Sequence, residues 1–286
     1  TANFHTHTER CRHAGCSDQR YVDLAIEAGI KVLGFSDHTP YVGFTDGYYS
    51  FYRMFPEELI GYCESVKALR EQYKDKIEIH LGLEAEYYPR LFPELLEFLK
   101  PYGIEYLILG QHFLDDDQHG LSAHWIQDEE SLIKYTDQCI EGLRTGAFSY
   151  LAHPDLPRFD HSDPAFKREM RRLCLCSNEL GLPVELNVLG IAKERHYPCE
   201  EFLEVCRECE STVIIGVDAH LPDQFTDPAP MERAFELIDK YELKIHSVCK
   251  VVHPDGENFT KFALLSKFSM FPGILNASFA YLNKRS

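Results

Sequence analysis

Histidine, aspartate and glutamate recur in this sequence where short apolar runs stop. His5-Thr6-His7 ends the first run, Asp37-His38 the second, and Glu84 and Glu86 the third. His112 follows the fourth run, and His153 closes the fifth in Ala152-His153-Pro154-Asp155. Asp218 and His220 come after the apolar stretch that begins at Val213. In a strand, residues two apart share a face, so His5 and His7 point the same way. One histidine at a strand end is ordinarily a hydrogen-bonded structural residue. Six strand ends carrying histidine or acid are not explained by packing. Imidazole and carboxylate are common ligands for zinc, iron and manganese, and divalent ions so held support hydrolytic chemistry. The set is too large for one ion, so some ligands must be shared, and the two oxygens of Glu84 suit it to bridging. His80, His119, His124, His161, His246 and His253 fall mid-strand, in loops or in a late strand and read as non-ligands. His196 lies near a possible substrate loop and stays open.

The elements that must position these groups alternate. Strands are predicted at 2–7, 31–36, 77–84, 104–110, 149–153, 184–187 and 213–218, with a weaker eighth at 245–252. Between them, Ser17-Asp18-Gln19-Arg20 reads as a capping box opening a helix to Gly29, and Pro56 suits the first turn of a helix to residue 74. Further helices are predicted at 93–100, from the cap Asp128 to 144, from the cap Asp163 to just before Gly181, at 198–209 and at 230–241. Residues 43–50 and 115–117 read as loops. Alternating strands and helices imply a parallel sheet, and seven or eight units in 286 residues imply a closed barrel. Barrel active sites gather at the carboxyl ends of the strands, where these histidines and acids lie. An open doubly wound sheet is the alternative. No G-x-G-x-x-G follows a strand, which weakens a dinucleotide-binding reading.

Composition narrows the partners. A formal charge of −17 disfavours nucleic acid and anionic membranes. A small phosphorylated substrate remains compatible, because bound divalent cations make a site locally positive. No run of about 18 apolar residues indicates a membrane helix, and no signal-peptide pattern opens the sequence. Ten cysteines without an export signal read as free thiols in a reducing cytoplasm. Cys206 and Cys209 form a C-x-x-C without a second pair, which points to packing, as do Cys174 and Cys176.

The ordered series H-T-H with His13 six residues on, S-D-H, G-L-E-A, G-Q-H, A-H-P and G-V-D-A-H spans residues 5 to 220. It resembles the polymerase-and-histidinol-phosphatase (PHP) superfamily. The G-L-E-A-E-Y and G-Q-H-F contexts are similar to its monofunctional histidinol-phosphate phosphatase branch. The resemblance implies an α/β fold, a distorted TIM-like (β/α)7 barrel with three divalent metals (zinc, iron or manganese) at the C-terminal rim of the strands. It implies one domain over 1–286, with the barrel in 1–269 and a tail in 270–286. His5, His7, Glu84 and Asp218 would hold one metal. Glu84 would bridge to a second, completed by His112 and His153, and His13, His38 and His220 would hold the third. The family often has aspartate where Asn3 stands, so Asn3 receives no metal role, and Asp37 is expected to orient a ligand.

The chemistry agrees. A water shared by two metals about 3.5–4 Å apart ionises near neutral pH and can attack a phosphate monoester in line. Arg158, five residues past His153, and Arg195, after the sixth strand, are candidates to grip the phosphate. Their plain alternative is a role as surface arginines. Asp218 and His220 join them as catalytic candidates, with His220 or a water as possible general acid. The expected activity is hydrolysis of L-histidinol phosphate to L-histidinol and phosphate, in histidine biosynthesis. Phe113, Trp125 and Glu86 are candidates to read the histidinol end. The alternatives are a PHP phosphoesterase acting on a nucleotide or a single-stranded nucleic-acid end, and a non-catalytic PHP binding module. Oligomeric state is unreadable from the sequence.

Overall fold

The computed structural model describes residues 2–246, 250–252 and 258–260; His253 and the tail 270–286 lie outside them. Strands β1 (Ala2–Asn3), β2 (Val32–His38), β3 (Glu78–Ala85) and β4 (Tyr106–Leu109) form a parallel sheet in that order. Strands β5 (Val184–Asn187), β6 (Thr212–Gly216) and β7 (Lys244–Ile245) form a second parallel sheet. Single-residue bridges join the two. Leu151 pairs with Leu109 on one side and Val184 on the other, and Thr6 pairs with Ala219. The parallel sheet is therefore curled, an α/β fold of the TIM-like kind. Helices α1 (Asp18–Glu27), α2 (Leu59–Tyr73), α3 (Phe92–Leu99), α4 (Glu129–Arg144), α5 (Pro164–Leu180), α6 (Val188–Ala192), α7 (Glu200–Glu208) and α8 (Pro228–Lys240) alternate with the strands. No described helix is long and apolar enough to cross a membrane.

Two apolar layers hold the sheet. The larger packs one face of the strands, through Leu33, Phe35, Leu81, Leu83 and Leu107, against the helices. The smaller lies on the opposite face and contains Phe4, Val32, Tyr106, Ile108, Tyr150 and Ile214. Alternation along β2 and β3 sets this up: the odd-numbered residues meet the helices, so Val32, Gly34 and Ser36 share the other face, as do His80, Gly82 and Glu84. Tyr106 occupies the space beside both glycines. A Cβ on Gly34 would lie 2.2 Å from its hydroxyl, and one on Gly82 2.3 Å from its ring. That hydroxyl lies 3.0 Å from the carbonyl oxygen of Phe4 and 2.9 Å from that of Phe35.

The predicted caps meet different outcomes. Asp128 accepts a hydrogen bond from Ser131 N at 2.8 Å, and Asp163 accepts one from Ala165 N at 2.8 Å. Gly181 ends α5 at φ +67°, a left-handed position that suits glycine. Ser17 stands at the N-cap of α1 but makes no side-chain capping bond. A capping box needs an acid or amide three residues on, where Arg20 stands; Gln19 is one residue short. The predicted fifth strand shrinks to the bridge at Leu151, because His153 turns to φ +29° and ends the extended run. The predicted eighth strand divides. Lys244–Ile245 joins β6 in parallel, while β8 (Lys250–Val252) pairs antiparallel with β9 (Asn258–Thr260). Helix α6 falls where no element is predicted; its five residues are too few to show a helical period, and Asn187 caps it by accepting from Gly190 N at 2.9 Å.

Candidate metal centre

The register of β2 against β3 pairs His38 with Glu84 at the carboxyl ends of both strands. Around Glu84 the chain gathers five imidazoles. His153 Nε2 is 2.9 Å from Oε1, His38 Nδ1 is 3.1 Å and His7 Nε2 is 3.5 Å from Oε2. His5 Nε2 at 3.5 Å and His112 Nε2 at 3.7 Å face Oε1. Asp218 approaches from the far side, with Oδ1 3.0 Å from His7 Nε2 and 3.4 Å from His5 Nε2. His220 lies 3.3 Å from the same carboxylate oxygen, and its ring stacks on His7 at 4.1 Å. His13 completes the outer side, its ring 4.9 Å from His220 and 5.1 Å from His38. All nine expected ligands thus converge, from buried His5 and Glu84 to exposed His13.

Local structure fixes their aim. Asn3 holds the His5-Thr6-His7 turn through the His5 carbonyl at 3.0 Å and Thr6 Oγ1 at 2.8 Å, while its own oxygen accepts from Val217 N at 2.9 Å. The amide thus staples the first strand to the sixth, a role that needs both a donor and an acceptor. Asp37 accepts from Thr8 Oγ1 and lies 3.5 Å from His7 Nδ1, which is the expected orienting position. His153 and Asp218 both hold positive φ, +29° and +54°. Such conformations cost free energy in non-glycine residues and concentrate at functional sites.

The electrostatics call for cations. Burial opposes charge on Glu84, yet His38, His5 and His112 hold its carboxyl well below the usual range. Burial likewise opposes charge on Asp218, and His5, His220 and His7 outweigh it. Burial also works against a charged His5, but Glu185, Asp218 and Glu84 raise it well above its ordinary value. His38 is pushed well below its ordinary value by burial, and His220 down to about 3 by burial and then His7. Three atoms at the middle, His5 Nε2, His7 Nε2 and Glu84 Oε2, are buried without an aligned hydrogen bond. Buried polar atoms left so are costly. Nitrogen and carboxylate donors aimed at one another without shared protons suit divalent metal ions. Sets such as His7, His38 and His220, or His5, His153 and Asp218, bring their donor atoms within 4.8 Å of one another.

Three residues were not singled out from the sequence. Glu185 receives His5 Nδ1 at 2.7 Å and the His153 amide at 3.0 Å. The alternation Val-Glu-Leu-Asn in β5 was its signal, since it puts Glu185 on one face with Asn187. Cys11 lies with its sulfur within 4.8 Å of donor atoms of His13 and His220. Arg53, almost fully buried, binds Glu86 and had no sequence signal. Arg158 and Arg195 are exposed, and among the described residues neither meets a carboxylate. Arg195 donates to the Tyr197 hydroxyl, and the Tyr197 ring lies 6.2 Å from that of His153. Arg158 is tied by its backbone to Ala123 O at 3.4 Å, and burial first, then its charge with that of Arg195, lowers the pKa of half-buried His196. Of the histidinol-end candidates, Trp125 is exposed, Phe113 faces Tyr52 at 5.9 Å, and both oxygens of Glu86 are taken by Arg53.

The centre can be set beside known proteins. A probable histidinol-phosphatase of Deinococcus radiodurans is 28% identical over 228 residues, covering 77% of this chain and 86% of that one. A histidinol-phosphatase of Bacillus subtilis is 25% identical over 250 residues, covering 76% and 92%. The histidinol phosphate phosphatase of Lactococcus lactis, solved with zinc, L-histidinol and phosphate, superposes with a TM-score of 0.68 at 18% identity, over 87% of this chain and 95% of that one. The profile of the PHP domain matches residues 3–189, and with well over half of its length so matched the chain belongs to the PHP domain family.

Proposed function

We propose that this protein is a metal-dependent phosphomonoesterase that hydrolyses L-histidinol phosphate to L-histidinol and phosphate, in histidine biosynthesis. The observation that carries the reading is Glu84, a buried carboxylate within 3.7 Å of five imidazole nitrogens. The centre takes three divalent ions, drawn from zinc, iron and manganese. His5, His7, Glu84 and Asp218 hold one, Glu84 with His112 and His153 a second, and His13, His38 and His220 the third. When bound, the ions supply an activated water and neutralise phosphoryl oxygens. The fold is a distorted seven-stranded barrel in one domain, with the centre at the carboxyl ends of its strands.

The chain's own residues divide the remaining work. Glu185 fixes the His5 ring through Nδ1, which leaves Nε2 facing inward. Arg158 and Arg195 hold the substrate phosphate, supported by their exposure and their lack of acidic partners among the described residues. His220, which burial and then His7 push down to about 3, is neutral and serves as a ligand, so a water supplies the proton to the leaving alcohol. The relatives' names support histidinol phosphate over other monoesters. A phosphate-release assay on metal-loaded protein tests the reading, with histidinol phosphate, AMP and a short single-stranded oligonucleotide side by side. Histidinol phosphate should give the highest kcat/KM. Preference for AMP or the oligonucleotide, or no release from any of them, overturns the assignment.

A further inference from the structure

His112 sits between two carboxylates: its Nε2 faces Glu84 at 3.7 Å, and its Nδ1 meets Glu86 Oε1 at 3.1 Å. Glu86 is in turn gripped by Arg53, Nη1 to Oε2 at 2.8 Å and Nη2 to Oε1 at 3.0 Å. The same guanidinium reaches Asp117 Oδ2 from Nε at 3.0 Å and from Nη2 at 2.9 Å, and the Thr39 carbonyl at 3.2 Å. Arg53, Glu86 and Asp117 are all buried. We propose that Glu86 and Arg53 are positioning residues of the metal centre: Arg53 clamps Glu86, and Glu86 holds the proton of His112 on Nδ1 so that Nε2 is free for an ion. The proposal rests on the metal-centre reading given above.

Stability alone is a poor reason for this cluster. Burying a guanidinium with two carboxylates incurs a desolvation cost that apolar side chains of similar volume avoid. Among the candidate ligand side chains, the one the cluster meets directly is the His112 imidazole. For a ligating imidazole, the partner of the second nitrogen decides which nitrogen faces the metal. An ionised carboxylate can only accept, so it fixes the tautomer as well as the ring angle. Both oxygens of Glu86 accept from the Arg53 guanidinium, a two-point pairing that suits a carboxylate. Arg53 also joins the segment after β2, at Thr39, to the segment after β4, at Asp117. The two segments meet again where Tyr48 donates to the Asp117 carbonyl at 3.0 Å and Thr45 N donates to Gln118 at 3.2 Å. The position of His112 is thereby referred to two neighbouring loops as well as to its own strand.

The experiment uses the full chain, with ion content measured by equilibrium dialysis against graded chelator and elemental analysis. Glu86→Gln keeps the shape of the side chain and removes its charge. It should weaken one ion about 10- to 100-fold and leave the others unchanged. Its kcat should fall and recover at high metal concentration, and the metal-free melting temperature should move too little to account for that pattern. Arg53→Lys keeps a charge but cannot span both carboxylates, and it should weaken the same ion. Glu86→Gln holding every ion at wild-type affinity overturns the proposal while leaving the metal centre standing. Arg53→Lys with full affinity removes Arg53 from it. A wild-type chain that takes up no ion overturns the metal-centre reading itself. A check independent of any variant is the nitrogen-15 histidine spectrum of the metal-loaded wild type. There the His112 proton should reside on Nδ1; a metal-bound Nδ1 with protonated Nε2 overturns the proposal.

Discussion

A carboxylate touching five imidazoles cannot satisfy them all by proton sharing, and that arithmetic makes Glu84 the most sensitive single position. Glu84→Ala should lower the bound-ion count by at least one and cut kcat/KM by more than about 100-fold, since even an outer ligand-orienting group is worth 10- to 100-fold. Elemental analysis beside steady-state kinetics checks both; full ion content in the variant would remove Glu84 from the bridging role. Arg158 and Arg195 call for a different signature. Loss of a charge-assisted contact to phosphate costs about 1.5–3 kcal/mol, roughly 10- to 100-fold in kcat/KM. Because phosphate is common to every monoester, Arg158→Ala and Arg195→Ala should lose activity equally on histidinol phosphate and p-nitrophenyl phosphate. Loss on the histidinol substrate alone would move that arginine to the other end of the substrate. Away from the site, Glu105 accepts the Leu81 amide at 2.8 Å and lies 3.5 Å from His80 Nδ1. Burial opposes its charge, but these partners and Arg70 lower its pKa to about 2. A depressed carboxyl stabilises the fold above its unfolded pKa of about 4.3, and the benefit fades as pH falls towards 2. In metal-free protein, Glu105→Gln should therefore be about 1–2 kcal/mol less stable at neutral pH, after allowance for solvent screening. Urea unfolding should show that gap closing between about pH 4.5 and pH 2; a gap that persists at pH 2 would mean that packing, not charge, is its source.

Helix starts offer a graded comparison. Asp163 and Asp128 each accept a backbone amide at 2.8 Å, whereas Ser17 accepts none. Replacing a working cap by alanine costs about 1 kcal/mol. Asp163→Ala and Asp128→Ala should each lose about that much in urea unfolding, and Ser17→Ala should change little. An equal loss at Ser17 would show that its hydroxyl caps in solution. The same three residues show why much of the architecture was legible. A capping aspartate before a periodic run is a local signal, and α4 and α5 begin one residue after Asp128 and Asp163. The candidate ligands were legible for a related reason: strand ends are marked by the end of apolar runs, and eight of the nine candidates stand beside them, His13 being supplied by the family resemblance. What escaped has no local marker. Arg53 acts through partners 33 and 64 residues away. Glu185 acts on His5 across 180 residues. The failed fifth strand turned on the φ of His153, a backbone choice that residue type does not announce.

For the molecule as a whole, stability and metal binding should separate. The two apolar layers on the faces of the sheet are built without any ligand side chain. Chelation should therefore abolish turnover while the far-UV circular dichroism at room temperature stays that of a folded α/β protein, unlike a small finger that folds only around its zinc. Collapse of the signal on chelation would tie the fold to the ions. The inner layer carries a historical consequence too. Tyr106 fills the space that a methyl group on Gly34 or Gly82 would need. A descendant that acquires alanine at either glycine first meets a collision. One that trims the tyrosine to alanine first opens a void worth about 3–5 kcal/mol. Neither order of change has a comfortable midpoint, so the three positions should be inherited as a block, drifting together or not at all among descendants of this chain.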